Sequence, residues 1–363
     1  MLKVFEEFRD RLDRVMLRTF GHRIVLWGYG YTGRFLAWYA EYYHGLTVDY
    51  IIEDNLPASI PYEFPIFRSS LFDFNYKDVK DAVVYLAVCE DDMVLKRLSK
   101  AGLIKNKNYY NFLELIYGRE YVNCDKEVHE ESEQIFRKRK TGNRDVQFME
   151  WLEYKYDCNL VTAIDSSNLS AEGAHPYKIT TQKEIFPILD RCHCMPQEND
   201  AIFDFGCGKG GAMIAFLDYG FKKVGGVEFE KEIYDIMMSN FENLGIKPLE
   251  STEAGREYEI TCIHGDAREC REVLDCYNWF YYFDPFERDV FVQTVKNIGD
   301  SLKRNPRRIH IININPAFHD EITASGLFVL TNQFCVSMRQ RVVDIFVTKK
   351  EYEGYKSHYD RSM

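Results

Sequence analysis

The chain has 363 residues, of which 46% are hydrophobic and 15% aromatic, so it carries enough apolar material for two cores and is not a disordered or low-complexity protein. A net charge of −11 opposes broad binding to a phosphate backbone, which argues against nucleic acid as a partner. Ten scattered cysteines indicate a reducing compartment, and no stretch resembles a membrane span or a signal peptide, so the sequence predicts a cytoplasmic protein.

Residues 1–20 carry an amphipathic helical pattern. Charges of both signs occupy the polar face, as in Asp10, Arg11 and Arg14, whereas a membrane-surface helix would be mainly basic there. The pattern therefore favours packing on the protein itself or on a second subunit in a homo-oligomer. The apolar positions are Leu2, Phe5, Leu12, Val15, Met16 and Phe20.

Residues 21–118 read as a small Rossmann-like domain. An apolar strand at 23–27 runs into a glycine turn, a helix to about His44 and a second strand at 48–52, which together make a βαβ unit. A further buried strand at 82–88 and a helix at 91–103 predict a compact parallel α/β domain.

The glycine turn of this first domain fits the dinucleotide fingerprint in outline, with two acids about 20 residues further on. The domain is too short for both halves of a full dinucleotide fold. It is similar to small Rossmann-like domains at the amino terminus of sugar-modifying acyltransferases and some methyltransferases of surface-polysaccharide pathways, which implies nucleotide-sugar recognition. A purely structural or oligomerising role is the alternative. The candidate residues are Gly28, Gly30, Gly33, Glu53 and Asp54.

Residues 119–174 are dense in charge and predict a mainly helical, solvated connector. Further on, Cys192-His193-Cys194 lacks a partner pair at zinc-site spacing, so the sequence predicts no metal site.

Residues 175–350 carry a second α/β pattern, followed by a tail at 351–363. The first five strands alternate with helices and the last two lie close together, which predicts an antiparallel hairpin at the end of a parallel sheet. The predicted strands are 201–206, 222–229, 258–265, 279–284, 307–315, 327–334 and 341–348.

The strongest chemical signal is the run 202–211, an apolar strand entering a glycine-rich turn and then a helix. Gly206, Gly208 and Gly210 allow the backbone to approach a ligand, and the helix amino terminus offers free N–H groups. Glu228 closes the next strand, where a carboxylate can accept hydrogen bonds from both hydroxyls of a ribose. The spacing predicts a nucleoside site.

From 175 to 349 the chain resembles the class I S-adenosylmethionine-dependent methyltransferases. The resemblance implies S-adenosyl-L-methionine as cofactor and an α/β fold of two Rossmann-like domains, the second with a seven-stranded sheet and a terminal antiparallel hairpin. The matching positions are Asp204 with the three glycines, Glu228, Gly265-Asp266-Ala267 and Phe283-Asp284-Pro285-Phe286, together with Tyr177 and Thr180 of an upstream Tyr-x-x-Thr segment.

Roles follow from what this cofactor needs. Asp204 is expected to organise the turn and the methionine ammonium, Glu228 the ribose and Asp266 the adenine amino group. Phe229 and Ala267 are expected to form apolar walls. The acceptor side is expected at Phe283, Asp284 and Pro285, with Asp284 the catalytic candidate.

The acceptor is expected to be a hydroxyl of a sugar, nucleotide-sugar or glycan-linked molecule, which would place the protein in polysaccharide biosynthesis. Transfer to an amine of a protein side chain or base is the enzyme alternative, although the second proline of the acid-Pro-Pro-aromatic motif is missing. A non-catalytic nucleotide-sensing module is the alternative from another class. The histidines considered as general base are His175, His310 and His319.

Overall fold

The computed structural model describes residues 2–54, 65–67, 81–88, 92–118, 147–162, 179–248, 257–284, 286–336 and 341–352. The chain divides into two compact units, Lys3–Trp151 and Met1–Leu2 with Leu152–Met363. Each unit has an α/β fold, so the predicted fold class is confirmed. Among the described residues, no helix has both the length and the apolar character that a membrane crossing requires.

The first unit is built on a five-stranded parallel sheet of order β3-β2-β1-β4-β5. Strands β1 and β4 pair along their whole length, and the side chains of β4 are all buried, as expected for a parallel sheet covered on both faces. The strands are β1 (Arg23–Trp27), β2 (Tyr50–Ile52), β3 (Ile66–Phe67), β4 (Ala82–Leu86) and β5 (Tyr109–Asn111).

The helices of the first unit follow the sequence expectations closely. The amphipathic segment forms α1 with a 3-10 turn at each end, Lys3–Phe5 and Leu17–Thr19. Gly45 ends α2 in the left-handed conformation, which needs no side chain there. The helices are α1 (Glu6–Met16), α2 (Tyr31–His44), α3 (Asp92–Lys100), α4 (Phe112–Tyr117) and α5 (Gln147–Tyr156), the last of which continues into the second unit.

The second unit is built on a seven-stranded sheet of order β11-β12-β10-β9-β6-β7-β8. Strands β6 to β10 are parallel, while β12 pairs antiparallel with both β10 and β11, which confirms the predicted terminal hairpin. The strands are β6 (Ala201–Phe205), β7 (Lys223–Glu228), β8 (Glu259–His264), β9 (Trp279–Phe283), β10 (His310–Ile314), β11 (Phe328–Val336) and β12 (Arg341–Thr348).

Helices cover this sheet and bury its aromatic core. Phe205 and Tyr282 stack at 4.7 Å between ring centroids, and Phe291 of the long helix α9 packs 5.0 Å from Tyr282. Short 3-10 segments lie at Ala267–Glu269, Glu272–Cys276 and Lys350–Tyr352. The helices are α6 (Gln182–Arg191), α7 (Gly211–Tyr219), α8 (Lys231–Asn243), α9 (Arg288–Arg304) and α10 (His319–Ala324).

Candidate active site

The glycine turn lies between β6 and α7 and adopts a conformation that side chains resist. Gly206, Gly208 and Gly210 have φ values of 78°, 56° and 87°. A Cβ added at Gly210 would also stand 2.7 Å from Cζ of Phe241 and 3.0 Å from Cγ of Met237. Both backbone angle and space therefore require glycine at position 210.

Glu228 at the end of β7 is tied to this turn. Its Oε2 accepts a hydrogen bond from the amide of Gly208 at 2.9 Å, and its Oε1 accepts one from the amide of Glu230 at 2.9 Å. Burial raises the pKa of this carboxyl, and the amide donors act in the opposite direction. The structure thus brings the predicted ribose acid directly against the predicted glycine turn.

Asp204 is buried in β6, which lies between β7 and β9 in the sheet. It pairs in register with Gly226 of β7 and with Tyr281 of β9. Burial, reinforced by the negative charge of Glu228, raises the pKa of Asp204 to about 8. Among the described residues no cationic side chain pairs with this carboxyl, which is why its burial favours the neutral form.

The position of Asp204 in the sheet explains why a ligand would bind here. The chain builds the sheet in one direction from β6 through β7 and β8, and in the other direction from β9. In open α/β sheets, ligands bind outside the carboxyl ends of the strands at such a reversal. The glycine turn leaves β6 at this crevice.

The predicted adenine side is formed by the residues after β7 and β8. Phe229 is 51% exposed, which is unusual for a phenylalanine and leaves its ring available for stacking. Ala267 is buried. Asp266 accepts hydrogen bonds from the backbone N–H and the guanidinium of Arg268, and that guanidinium lowers the pKa of Asp266. Asp266 is therefore already engaged by a neighbouring arginine.

Two neighbouring strands end in the same rare conformation. Phe283 of β9 pairs in register with Ile314 of β10, and the next residues, Asp284 and Asn315, have φ values of 47° and 54°. Aspartate and asparagine are the non-glycine residues that adopt this left-handed conformation most readily. The predicted acceptor residue Asp284 thus has a polar counterpart, Asn315, on the adjacent strand.

A partly buried ion pair flanks the predicted acceptor side. Arg341 at the start of β12 pairs with Glu184 of α6 at 2.5 Å, and its guanidinium lies 4.8 Å from the ring centroid of Phe283. Thr180 is buried and lies beside Tyr281. Tyr177 and Pro285 lie outside the described residues, so their expected contacts stay predictions.

The three candidate histidines differ in position. His175 lies outside the described residues. His310 is the first residue of β10, at the end of the strands away from Asp284. Its ring stacks on Trp279 with 3.9 Å between centroids. Burial lowers the pKa of His310 to about 4. His310 lies at the opposite end of the strands from Asp284, whereas His319 follows β10 at the same end as Asp284.

In the first unit, the glycine turn makes a side-chain contact like that of Glu228 in the second. Glu53 Oε2 accepts a hydrogen bond from the amide of Tyr29 at 2.7 Å. A Cβ at Gly33 would meet the carbonyl oxygen of Gly28 at 2.0 Å, whereas a Cβ at Gly30 would meet nothing within 4 Å. Asp54 follows Glu53 directly after β2.

Lys209 is a buried residue of the second glycine turn to which the sequence analysis gave no role. Its Nζ donates to Oδ1 of Asn159 and to the carbonyl of Thr162, both at 2.7 Å, and burial lowers its pKa to about 8. Asn240 joins the same network by accepting from the amide of Asn159 at 2.7 Å. The position of a lysine between Gly208 and Gly210 was the sequence signal that could have indicated this network.

Within the described ranges, no group of three His, Cys, Asp or Glu side chains gathers to hold a metal ion. No protein-family model matches the chain, and no curated protein matches it.

Solved structures resemble about half of the chain. The ribosomal protein L11 methylase of Lactobacillus delbrueckii subsp. bulgaricus is 14% identical over 45% of this chain and 76% of its own, with a TM-score of 0.33. A TehB-like SAM-dependent methyltransferase from Corynebacterium glutamicum is 14% identical over 47% of this chain and 90% of its own, with a TM-score of 0.33. TYW2 of M. jannaschii, solved with AdoMet, is 14% identical over 51% of this chain and 81% of its own, with a TM-score of 0.33. Likenesses of this strength do not assign an activity.

Proposed function

We propose that the second unit binds S-adenosylmethionine and transfers its methyl group to an acceptor hydroxyl of a sugar, nucleotide-sugar or glycan-linked molecule. The observation that carries the proposal is the pair of buried acidic side chains, Asp204 and Glu228, on either side of a left-handed glycine turn at the sheet reversal. A nucleoside with an attached cation matches this donor and acceptor set.

The residues present fit the ammonium, the ribose and the adenine ring of the cofactor, whereas Asp266, the acid expected at the adenine amino group, is held by Arg268. Asp204 lacks a cationic partner among the described residues and would hold the methionine ammonium. Glu228 would hold the ribose hydroxyls, while Phe229 would stack on adenine over Ala267. When bound, S-adenosylmethionine supplies an activated methyl group, so the protein has only to orient the acceptor, exclude water and remove a proton.

Asp284 and Asn315 would hold the acceptor. They lie on adjacent strand ends, next to the crevice beside Asp204, and both present polar side chains from a constrained backbone. A hydroxyl can donate to Asp284 and accept from the amide of Asn315, which suits an alcohol better than a cationic amine.

Recognition of a nucleotide-sugar by the first unit completes the proposal. Its support is the open space at Gly30 and the Glu53 carboxylate held against the turn by the Tyr29 amide. Gly28, Gly33 and Asp54 would complete this second site.

Calorimetry with S-adenosylmethionine tests the cofactor site. Glu228→Gln removes one charge while keeping the side-chain shape, and a charge-assisted hydrogen bond contributes about 1.5–3 kcal/mol, so affinity should fall roughly ten- to hundredfold. Glu53→Gln is the matched control, because that acid makes the same kind of turn contact in the other unit. The parent failing to bind, or Glu228→Gln and Glu53→Gln behaving alike, would refute the proposal.

A further inference from the structure

A fully buried carboxylate lies in the terminal hairpin beside the acceptor edge. Asp344 of β12 is 0% exposed; its Oδ2 is 2.6 Å from Nδ1 of His319, and its Oδ1 accepts from Nε2 of Gln333 at 2.8 Å. A carboxylate can only accept in such contacts, so Nδ1 of His319 carries the bridging hydrogen. A lone pair on this ring is therefore available at Nε2 and not at Nδ1.

His319 stands at the edge of the sheet where the acceptor would bind. It opens α10 four residues after Asn315, and a third of its side chain (33%) is exposed. Phe318 packs 5.7 Å from Phe291 of α9, and Arg288 Nε donates to Oε1 of Glu321 at 2.8 Å. These contacts hold the start of α10 beside the start of α9, which directly follows the 283–286 motif.

Asn313 of β10, which lies in register beside Asp344, has a buried side-chain donor without a hydrogen-bond partner among the described residues. Asn313 pairs in register with Tyr282 on one side and with Asp344 on the other, and it is 3% exposed. Its Nδ2 has no hydrogen-bond partner among the residues described. An unpaired buried donor costs free energy, so a polar row at this edge is better explained by a ligand than by core packing.

We propose that His319 is the proton acceptor for the methyl-transfer reaction, with Asp344 as its positioning residue. This inference rests on the proposed function. The acceptor O–H or N–H bond breaks, its proton goes to Nε2 of His319 and then to solvent, and the heteroatom keeps the electron pair that forms the bond to carbon. The carbon–sulfur bond breaks with its electron pair remaining on sulfur, so charge and atoms balance.

Chemical modification of the whole chain tests the state of Nε2 without an identified acceptor. Diethylpyrocarbonate acylates a neutral, accessible imidazole nitrogen, and mass spectrometry locates the product. We expect His319 to react at a rate comparable with the exposed His193, and Asp344→Asn to slow His319 about tenfold without changing His193. A His319 that does not react in the parent, or reacts equally in Asp344→Asn, would overturn the proposal.

Transfer of tritiated methyl to a panel of UDP-sugars measures the proton acceptor in turnover. His319→Ala should lower kcat about a hundredfold, leave S-adenosylmethionine affinity unchanged and be partly rescued by added imidazole, because general base catalysis contributes roughly 10²–10⁴-fold. Asp344→Asn should lower kcat less. A His319→Ala variant within threefold of the parent would overturn the inference, whereas a parent that binds no S-adenosylmethionine would instead refute the proposed function.

Discussion

The two glycine turns of this protein have similar sequence patterns and different surroundings. In each unit an acid at or just beyond the end of the second strand accepts a hydrogen bond from a turn amide, Glu228 from Gly208 and Glu53 from Tyr29. The residue two positions before the first glycine differs. In the second unit it is the buried Asp204, and in the first unit it is the equally buried Leu26.

The glycines themselves also have different reasons to be present. In the first turn, a Cβ at Gly28 would stand 2.5 Å from Val88 Cγ1, and one at Gly33 would meet the Gly28 carbonyl. Packing of the turn against its own unit explains both. Glycine spacing therefore reports close backbone packing in the first turn, and the buried Asp204 on the preceding strand is what sets the second turn apart.

Alanine at Gly210 should lower the stability of the protein most, and alanine at Gly30 should change that stability little. A side chain in the left-handed conformation costs about 1–2 kcal/mol and overpacking against Phe241 about 1–3 kcal/mol, so Gly210→Ala should lose roughly 2–5 kcal/mol and S-adenosylmethionine binding. Gly30 has a φ of −67° and open space but is the N-cap of α2, where alanine is disfavoured, so Gly30→Ala should cost about 1 kcal/mol or less. Urea denaturation compares them, and equal losses would contradict this contrast.

Sequence reasoning predicted the second unit well because its signals are local. The seven strand segments agree with β6 to β12 to within a few residues, since alternating apolar runs and glycine turns mark them directly. Glu228 accepts a hydrogen bond from the amide of Gly208 because a βαβ unit returns the second strand beside the first.

What the sequence did not predict depends on long-range pairing. Asp344 and His319 meet only because β12 turns back antiparallel beside β10, and Asn315 is a partner for Asp284 only through the β9–β10 register. The short strands β3 and β5 were also missed, because two or three residues carry no periodic signal. The predicted domain boundaries at 20, 118, 174 and 350 stay predictions.

Asp204→Asn should weaken S-adenosylmethionine binding roughly ten- to hundredfold, because the amide cannot compensate the methionine ammonium. The pKa of Asp204 is about 8 in the folded protein, so most of the population is protonated at pH 7, and a bound cation should release that proton. Calorimetry in buffers of different ionisation enthalpy measures the release. Proton release that persists in Asp204→Asn would assign it to another group.

The same substitution should raise stability at high pH. Because the folded-state pKa of Asp204 is raised above its unfolded value, the stability contributed by its protonated form is complete below about pH 4 and declines as the pH rises to about 8. Asp204→Asn removes this decline, so the variant should gain over the parent between pH 5 and pH 8. Urea denaturation at both values tests it, and parallel pH curves would contradict the raised pKa.

Asp284→Asn should separate the acceptor side from the cofactor side. The residue lies at the end of β9 rather than against the glycine turn, so turnover should fall while S-adenosylmethionine affinity stays within about twofold. Asn also tolerates the left-handed conformation, so the backbone should be retained. Equal losses of affinity and turnover would make Asp284 a cofactor or folding residue.

The smallest effect concerns the first turn, where recognition of a nucleotide-sugar is still to be tested. At a hundredfold excess over its dissociation constant, a ligand stabilises the folded protein by about 2.7 kcal/mol. A UDP-sugar or NAD that binds should therefore raise the melting midpoint of the whole chain by several degrees. Gly30→Ala should abolish that shift, because its added Cβ enters the open space where a pyrophosphate would approach, and should leave the shift by S-adenosylmethionine intact. If no nucleotide moves the parent midpoint, the packing of Gly28 and Gly33 is sufficient reason for the pattern, and the first unit is a scaffold.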